Sequence, residues 1–364
     1  MNKGIVEARK DLYMVATNHV IRWGVIGCGQ IAYDKVMPAL AQAANAQLVA
    51  LSDPDHSRLE QASKTYPDAR CYTHMEDLLR DADVQAVYIA TPNFLHASQT
   101  IAAAAAGKHI LTEKPMALTA EEGQQMVDAA ERAGVKLMVA YMTLFNPSYQ
   151  MAKLLIGTGA LGTITAVRGR HSYVIQPESV SPAAAWRLDP QHGGGPLMDV
   201  AVYSIFTLRD LASLSIQHLS ATGTVRQLHG KTEYDTVLWT FLSKEGIPGV
   251  IEASFTFSSS YIELEGTQGR LTLTDHISQK TQGHLLVDLW LPGQQEIAEH
   301  MVHNVVPAGL PHYYNYLREV EHFSTCILTN TDPIATGNTA LHEMKVVDAV
   351  RTSLRTGQAV QISA

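Results

Sequence analysis

Two stretches of this 364-residue chain carry residue types that could do acid–base chemistry. In "HGGGPLMDVAVYSI" (192–205), Asp199 and Tyr203 stand four positions apart after Gly193, Gly194 and Gly195. On a helix entered from the glycines they project from one face, and the glycines would let the chain turn and a bulky ligand approach the helix start. The plainer alternative is a first-turn aspartate that favours the helix dipole, with a partly buried tyrosine one turn later. In "HILTEKP" (109–115), Lys114 ends an apolar run beside Pro115. A lysine fixed there reads as a cation placed to polarise a substrate oxygen or to lower a neighbour's pKa, against the alternative of a solvated loop charge.

The elements that would position these residues fall into two kinds. Over residues 21–142, short apolar runs at 21–27, 46–53, 84–91, 109–114 and 135–141 alternate with helical spacing, which predicts a doubly wound parallel sheet. Thr119 with Glu122 three residues on predicts a capped helix over about 120–133. From 143 to 364 the pattern changes to consecutive strands joined by Gly/Thr/Ser turns, with helices at about 147–157, 197–212, 311–328 and 338–356. That predicts an open, mainly antiparallel sheet with one covered face, giving an α/β Rossmann domain followed by an α+β domain. Residues 1–20 form an extension before the first domain.

"GCGQIA" (27–32) sits between the first predicted strand and helix. Gly27 permits the tight turn, Gly29 lets the backbone approach a pyrophosphate, and Gln30, Ile31 and Ala32 open the helix whose amides face the phosphates. Asp53, at the end of the second run, is placed to accept from both ribose hydroxyls and to repel a 2′-phosphate, so NAD is favoured over NADP. Arg58 and His56 stand close enough to soften that repulsion, or form a solvated first helical turn. Cys28 reads as a small side chain tolerated in the turn. Thr91, Pro92, Asn93 and His96 ("TPNFLH") and Glu113 with Lys114 lie at carboxyl ends of strands, where such sheets bind ligands.

Composition narrows the partners. The chain is 46% hydrophobic and 17% charged, with a net charge of −8 from 27 basic and 35 acidic residues and no run of like charge that would suit nucleic acid or a membrane. Three scattered cysteines, Cys28, Cys71 and Cys326, make neither a disulfide framework nor a metal site, and a cytoplasmic, reducing setting fits. The first twenty residues lack a signal-peptide pattern, and nothing approaches a transmembrane span.

"GCGQIA", "TPNFLH", "HILTEKP", "ELEGTQGRLTL" and "WRLDPQHGGGPLMDVAVY" together resemble the glucose-fructose oxidoreductase, inositol dehydrogenase and rhizopine catabolism family, Gfo/Idh/MocA, from about residue 21 to 357. The resemblance implies an NAD(P)-dependent dehydrogenase or reductase of a sugar, polyol or related cyclic hydroxyl compound. It also implies a homodimer or homotetramer built through the C-terminal sheet. Lys114 is expected to meet Asp199 and Tyr203, with tyrosine where many relatives have histidine. Tyr203 is then the general acid/base, Lys114 lowers its pKa, and Asp199 binds a second hydroxyl or fixes the lysine, since a phenol of ordinary pKa about 10 needs a nearby cation to act as a base. Trp186 and Arg187 are expected at the cofactor. Arg187, His171, Tyr173 and His312 are expected at the substrate, with Asp189 and Tyr314 as similar cases; a domain-interface or surface role is the alternative for each. A cis bond before Pro115 is a further expectation. Leu144 departs from a common arginine and Ala201 from a common glycine. An NAD-dependent glycosidase with transient oxidation, or a nucleotide-binding redox sensor, are the competing functions.

Overall fold

A computed structural model of the chain describes residues 19–225, 234–277, 283–290, 297–303 and 306–362. Most of the expected N-terminal extension, residues 1–18, lies outside the described residues.

Strands β1 (Ile21–Ile26), β2 (Ala46–Ser52), β3 (Arg70–Tyr72), β4 (Ala86–Ile89), β5 (His109–Glu113) and β6 (Leu137–Ala140) form one sheet in the order β3-β2-β1-β4-β5-β6. Every neighbouring pair is parallel, which is the doubly wound dinucleotide-binding arrangement. Trp23, Val25, Val87, Tyr88, Ile110, Leu111 and Val139 are fully buried, as a parallel sheet covered on both faces requires. The covering helices include α1 (Met37–Gln42), preceded by a π-wound segment at Ala32–Val36, α2 (His56–Thr65), α3 (Met75–Arg80), α4 (His96–Ala105) and α5 (Ala120–Ala133). The α5 cap is as the sequence predicts at its hydroxyl end: Thr119 accepts from the Glu122 amide at 3.2 Å, and Gly134 closes the helix in the left-handed region. Glu122 itself reaches the Leu118 amide, at 2.9 Å.

After α6 (Pro147–Gly157) come β7 (Ile164–Ser172), a π-wound Leu197–Ala201 that runs into α7 (Val202–Ala212), and β8 (Ile216–Thr224), β9 (Thr236–Ser243) and β10 (Pro248–Ser254). They are followed by β11 (Ser259–Gly266), β12 (Gly269–Thr274), β13 (His284–Trp290) and β14 (Ile297–His303). With β15 (Val360–Gln361) these strands make a nine-stranded sheet, ordered β14-β13-β12-β11-β7-β10-β9-β8-β15, antiparallel except where β7 meets β10. Helix α7 lies on one face of it. A side chain at Gly169 would stand 3.1 Å from Leu208 and Ser204, so the bare backbone there sets how closely helix and sheet approach. The opposite face carries Arg168 on Glu263, Arg170 on Glu252 and Arg270 on Asp288.

Helices α8 (Tyr314–Thr329) and α9 (Gly337–Thr356), read from the sequence as part of the second domain, also return to the first. Trp23 in β1 donates its indole N–H to Ser324 at 3.1 Å and packs on Phe323, and the Val139 amide bonds Ala335. Helix α9 packs on α5, with Leu341 against Gly123. The two units therefore share a core. Among the described residues no helix is long and apolar enough to cross a membrane.

Because Trp23 is fully buried at this junction, Trp23→Ala is expected to cost about 3–5 kcal/mol of unfolding free energy. Denaturant unfolding followed by circular dichroism measures it, and a loss under about 1 kcal/mol would mean that α8 is not fastened there.

Candidate functional site

The glycine run is shaped by the chain itself. Gly193 has φ +72°, and a Cβ there would lie 2.4 Å from Leu118 and 2.8 Å from Asn93. At Gly194 a Cβ would meet main-chain atoms of Trp186, Arg187 and Asp189 at 2.6 Å. The glycines were expected to admit a ligand to the helix start; at Gly194 the close approach is instead made by the turn at 186–189. That turn is pinned by the Gly194 amide on Asp189 and the Gly195 amide on Arg187, at 2.8 and 2.9 Å. Asn93, from the loop after β4, donates to the Gly193 carbonyl at 2.9 Å, tying the two units together.

Behind this turn Asp199 meets Lys114. The lysine Nζ donates to the Asp199 carbonyl at 2.7 Å and to its carboxylate Oδ1 at 3.2 Å, and the Lys114–Pro115 bond is cis. Tyr173, just beyond β7, donates its hydroxyl to Asp199 Oδ2 at 2.7 Å. Burial alone would raise the Asp199 pKa. The charges of Lys114 and Arg187 and the bonds from Tyr173 and Lys114 outweigh it and hold the carboxyl down to about 2. Tyr203 sits one turn along, 8% exposed, with Lys114 Nζ 4.5 Å from its ring centre and the His171 ring edge-on at 5.8 Å. Burial pushes His171 down to about 4, with Lys114 adding to it, so its ring is neutral.

The Tyr203 pKa was expected to be lowered by Lys114; the net shift is upward. Burial, then Tyr316, Glu113, Asp199 and Glu319, raise the phenol well above its ordinary value, and the ammonium lies over the ring face. Tyr203 is therefore a neutral phenol in the ligand-free protein.

The nucleotide edge fits a dinucleotide. Gly27 has φ +93° and packs so tightly that a Cβ would stand 2.9 Å from Thr91, while nothing lies within 4 Å of the corresponding position at Gly29. The backbone is thus bare and open on the side a pyrophosphate would take, and Ala32 is sealed beneath it. Gln30 is exposed and Ile31 partly so at the helix entrance. Asp53 is 3% exposed and already accepts from the Cys28 and Asp55 amides at 2.7 and 2.8 Å, so it braces the glycine loop. Arg58 lies 3.9 Å from Asp53 and 3.5 Å from Asp55. His56 opens α2, and Cys28 is a buried thiol whose pKa burial raises to about 12. Arg187 stacks on Trp186 with its guanidinium 4.6 Å from the ring.

Other candidates are held differently. His96 directs its ring nitrogens to the carbonyls of Pro115 and Thr91 at 2.8 and 2.9 Å, so it clamps the Lys-Pro turn rather than facing the cleft. Thr91 bonds Gln99, Pro92 begins the turn before α4, and Asp189 caps the turn at Pro190–His192. The His312 ring bonds the Asp34 carbonyl at 3.0 Å and its own carbonyl takes Lys35 at 3.1 Å, which hold it against the segment after β1. Tyr314 only opens α8. Leu144 and Ala201 are fully buried. Sequence reasoning missed the residues beneath the cleft, Tyr88, Glu319 and Tyr316. The available signal was Glu319 lying in the buried stripe Tyr316, Val320 and Phe323 of α8.

Residues 21–141 match the model of an oxidoreductase family with an NAD-binding Rossmann fold, GFO_IDH_MocA, and residues 149–272 match the GFO/IDH/MocA C-terminal domain. The chain is 29% identical to 1,5-anhydro-D-fructose reductase of Ensifer adhaerens over 94% of this chain and 98% of that protein. It is 30% identical to trans-1,2-dihydrobenzene-1,2-diol dehydrogenase of Bos taurus over 70% and 74% of the two. The crystal structure of aldose-aldose oxidoreductase from Caulobacter crescentus, complexed with glycerol, superposes with a TM-score of 0.83 at 26% identity, covering 94% of this chain and all of that one.

Lys114→Ala would strand the Asp199 carboxylate, and a loss of about 3–5 kcal/mol at neutral pH is expected. The carboxyl, no longer held down, takes up a proton more readily, so the deficit against the parent should narrow as pH falls toward about 4. Paired denaturant curves across that range test this; a deficit that is flat with pH would show the pair to be uncoupled.

Proposed function

From the chain's membership of the Gfo/Idh/MocA oxidoreductase family, we infer an NAD(P)-dependent dehydrogenase or reductase that transfers hydride between nicotinamide and a CH–OH or carbonyl carbon of a sugar, polyol or related cyclic hydroxyl compound. The observation that carries it is the convergence of Lys114, Asp199 and Tyr203 from two domains at the carboxyl ends of β4 and β5. A binding protein without catalysis has no need of that set.

Nicotinamide, when bound, supplies or accepts the hydride; the protein's part is to hold the substrate and move one proton. Tyr203, kept neutral by burial, is a proton donor to a carbonyl oxygen, and the phenolate left behind is stabilised by Lys114 over its ring. In the oxidising direction Tyr203 must first release its own proton to solvent, and the phenolate beneath Lys114 then takes the hydroxyl proton. Asp199 fixes the lysine, and its ionised carboxylate offers an acceptor to a neighbouring substrate hydroxyl. His171 and Tyr173, neutral and polar, line the same face. Gly27, Gly29 and Ala32 hold the pyrophosphate and Asp53 the adenosine ribose, with Trp186 and Arg187 on the other side. Asp53 favours NAD, while Arg58 beside it is a cation that a 2′-phosphate could use.

The outer face of the nine-stranded sheet, with its ion pairs and the exposed Leu242 and Val302, supports a homodimer or homotetramer formed through that face. Three free thiols suit a reducing, cytoplasmic setting.

The test is nicotinamide absorbance with NAD and NADP, each offered against aldoses, anhydro-ketoses, cyclic polyols and dihydrodiols. Turnover is expected with at least one class, falling about 10²–10⁴-fold in Tyr203→Phe and in Lys114→Ala. Near-full turnover in Tyr203→Phe would remove the proton role from that residue. Release of a leaving group without net nicotinamide change would make the enzyme a glycosidase instead.

A further inference from the structure

Beneath Lys114 lies a hydrogen-bonded group that the reaction above does not use. Glu113, at the end of β5, and Glu319, on α8, both reach the hydroxyl of Tyr88 in β4, at 3.0 and 3.4 Å. Glu113 is partly open toward the cleft, beside Lys114, whereas Glu319 is 0% exposed. The second oxygen of Glu319, Oε1, is buried with no hydrogen-bond partner among the described residues.

The protons can be counted. A phenol has one hydrogen to donate and lone pairs to accept with. If both carboxyls were ionised, Tyr88 could satisfy only one of them, and a second anion would stand sealed in the core with no cation in contact among the described residues. A buried carboxylate in that position takes up a proton instead. The arrangement that satisfies every hydrogen has Tyr88 donating to Glu113 and Glu319 donating its own O–H to the Tyr88 oxygen.

We propose that Glu319 is a neutral carboxylic acid in the folded protein, holding through Tyr88 the only proton that the pair Glu113 and Glu319 shares, and that it thereby keeps Glu113 ionised beneath Lys114. Glu319 is a positioning residue: it touches no reacting atom and acts through Tyr88 and Glu113. The titratable and charged groups facing the pair are Tyr88 on β4, Lys114 after β5, Tyr316 on α8, Tyr203 on α7 and Arg187 in the turn before it. Burial raises the Glu113 pKa, but there Lys114, the bond from Tyr88 and Arg187 oppose it, whereas neither cation contributes appreciably at Glu319, so of the two carboxyls Glu319 is the better site for the proton. Burial and then the Glu113 charge drive the Glu319 pKa well above the usual carboxyl range, in agreement with the proton count. The link to Lys114 rests on the oxidoreductase reading; the location of the proton does not.

Infrared spectra of the purified full-length protein in heavy water should contain the C=O stretch of a protonated carboxylic acid at neutral pH. Burial pushes the Glu343 carboxyl up to about 8, so it contributes to the same band; the component due to Glu319 should be lost in Glu319→Gln, leaving that of Glu343, and the whole band kept in Glu113→Gln. Glutamine supplies an N–H where the acid supplies its O–H, so Glu319→Gln should melt within a few degrees of the parent at neutral pH while Glu319→Ala melts well below it. The sign with pH is also set. A carboxyl whose folded pKa is raised contributes stability that is full below its unfolded pKa, about 4.3, and is lost as pH rises through the folded value. The melting temperature of the parent should therefore fall more steeply than that of Glu319→Gln as pH rises above about 4.3. An unchanged carboxylic-acid band in Glu319→Gln, or parallel melting curves, would overturn the proposal without touching the hydride-transfer assignment, which is tested by turnover. If turnover is absent but the band shifts as expected, the proton is where the geometry puts it and the oxidoreductase reading is what fails.

Discussion

The contact between Lys114 and Asp199 is the constraint around which the molecule is organised. The lysine comes from the carboxyl end of β5 in the parallel sheet and the aspartate from the helix lying on the antiparallel one, so the bond forms only at one mutual placement of the two units. A carboxylate removed from water tolerates no loss of its partner, which makes the contact a demand on the fold as well as a feature of the site. The surrounding bonds enforce that placement. Asn93 on Gly193, Arg351 on the Leu118 carbonyl and Trp23 on Ser324 each cross between the units at a different level.

The same demand explains the glycines. The turn at 186–189 must press directly on Gly194 to bring Arg187 toward Asp199, and a Cβ at that position would hold the turn away. Arg187 and Lys114 are together what overcomes the burial of the carboxyl. The three glycines thus serve electrostatics through backbone packing, and the ion pair, the turn and the helix entrance are one device.

Much of this could be read from residue order. Glycine spacing, the acid after the second strand and the strand–helix alternation have local causes, and the structure follows them closely, as at α5 and α6, whose bounds lie where the periodicity puts them. Strand β3 escaped because three residues, "RCY", are too few to show a period. What could not be read was set by contacts between distant segments. Helix α8 carries an apolar stripe that would suit either unit, and only the packing of Phe323 and Ser324 on Trp23 decides that it serves both. His96 and His312 look like ligand-facing residues at strand and helix ends; carbonyls from other segments had claimed their rings. The Tyr203 shift is set by burial and then by groups far away in sequence, among them Glu113, 90 residues before it, and Glu319, 116 residues after it.

That last dependence bears on how a tyrosine can work here at all. A phenol ringed by Glu113, Asp199 and Glu319 is opposed by each of those carboxylates when it ionises, and burial adds to the opposition. Lys114 is the cation against the ring, so the site is balanced between one ammonium and the acids it must also neutralise. Every acid that remains neutral leaves more of the lysine's field for the tyrosine. Asp199 is firmly ionised and Glu113 lies beside the lysine, which makes Glu319 the acid whose neutrality matters. Its place on α8, sealed from solvent by the helix that joins the two units, is what keeps water from stabilising its charge. The junction that aligns the ion pair therefore also governs the charge around the proton-transferring residue.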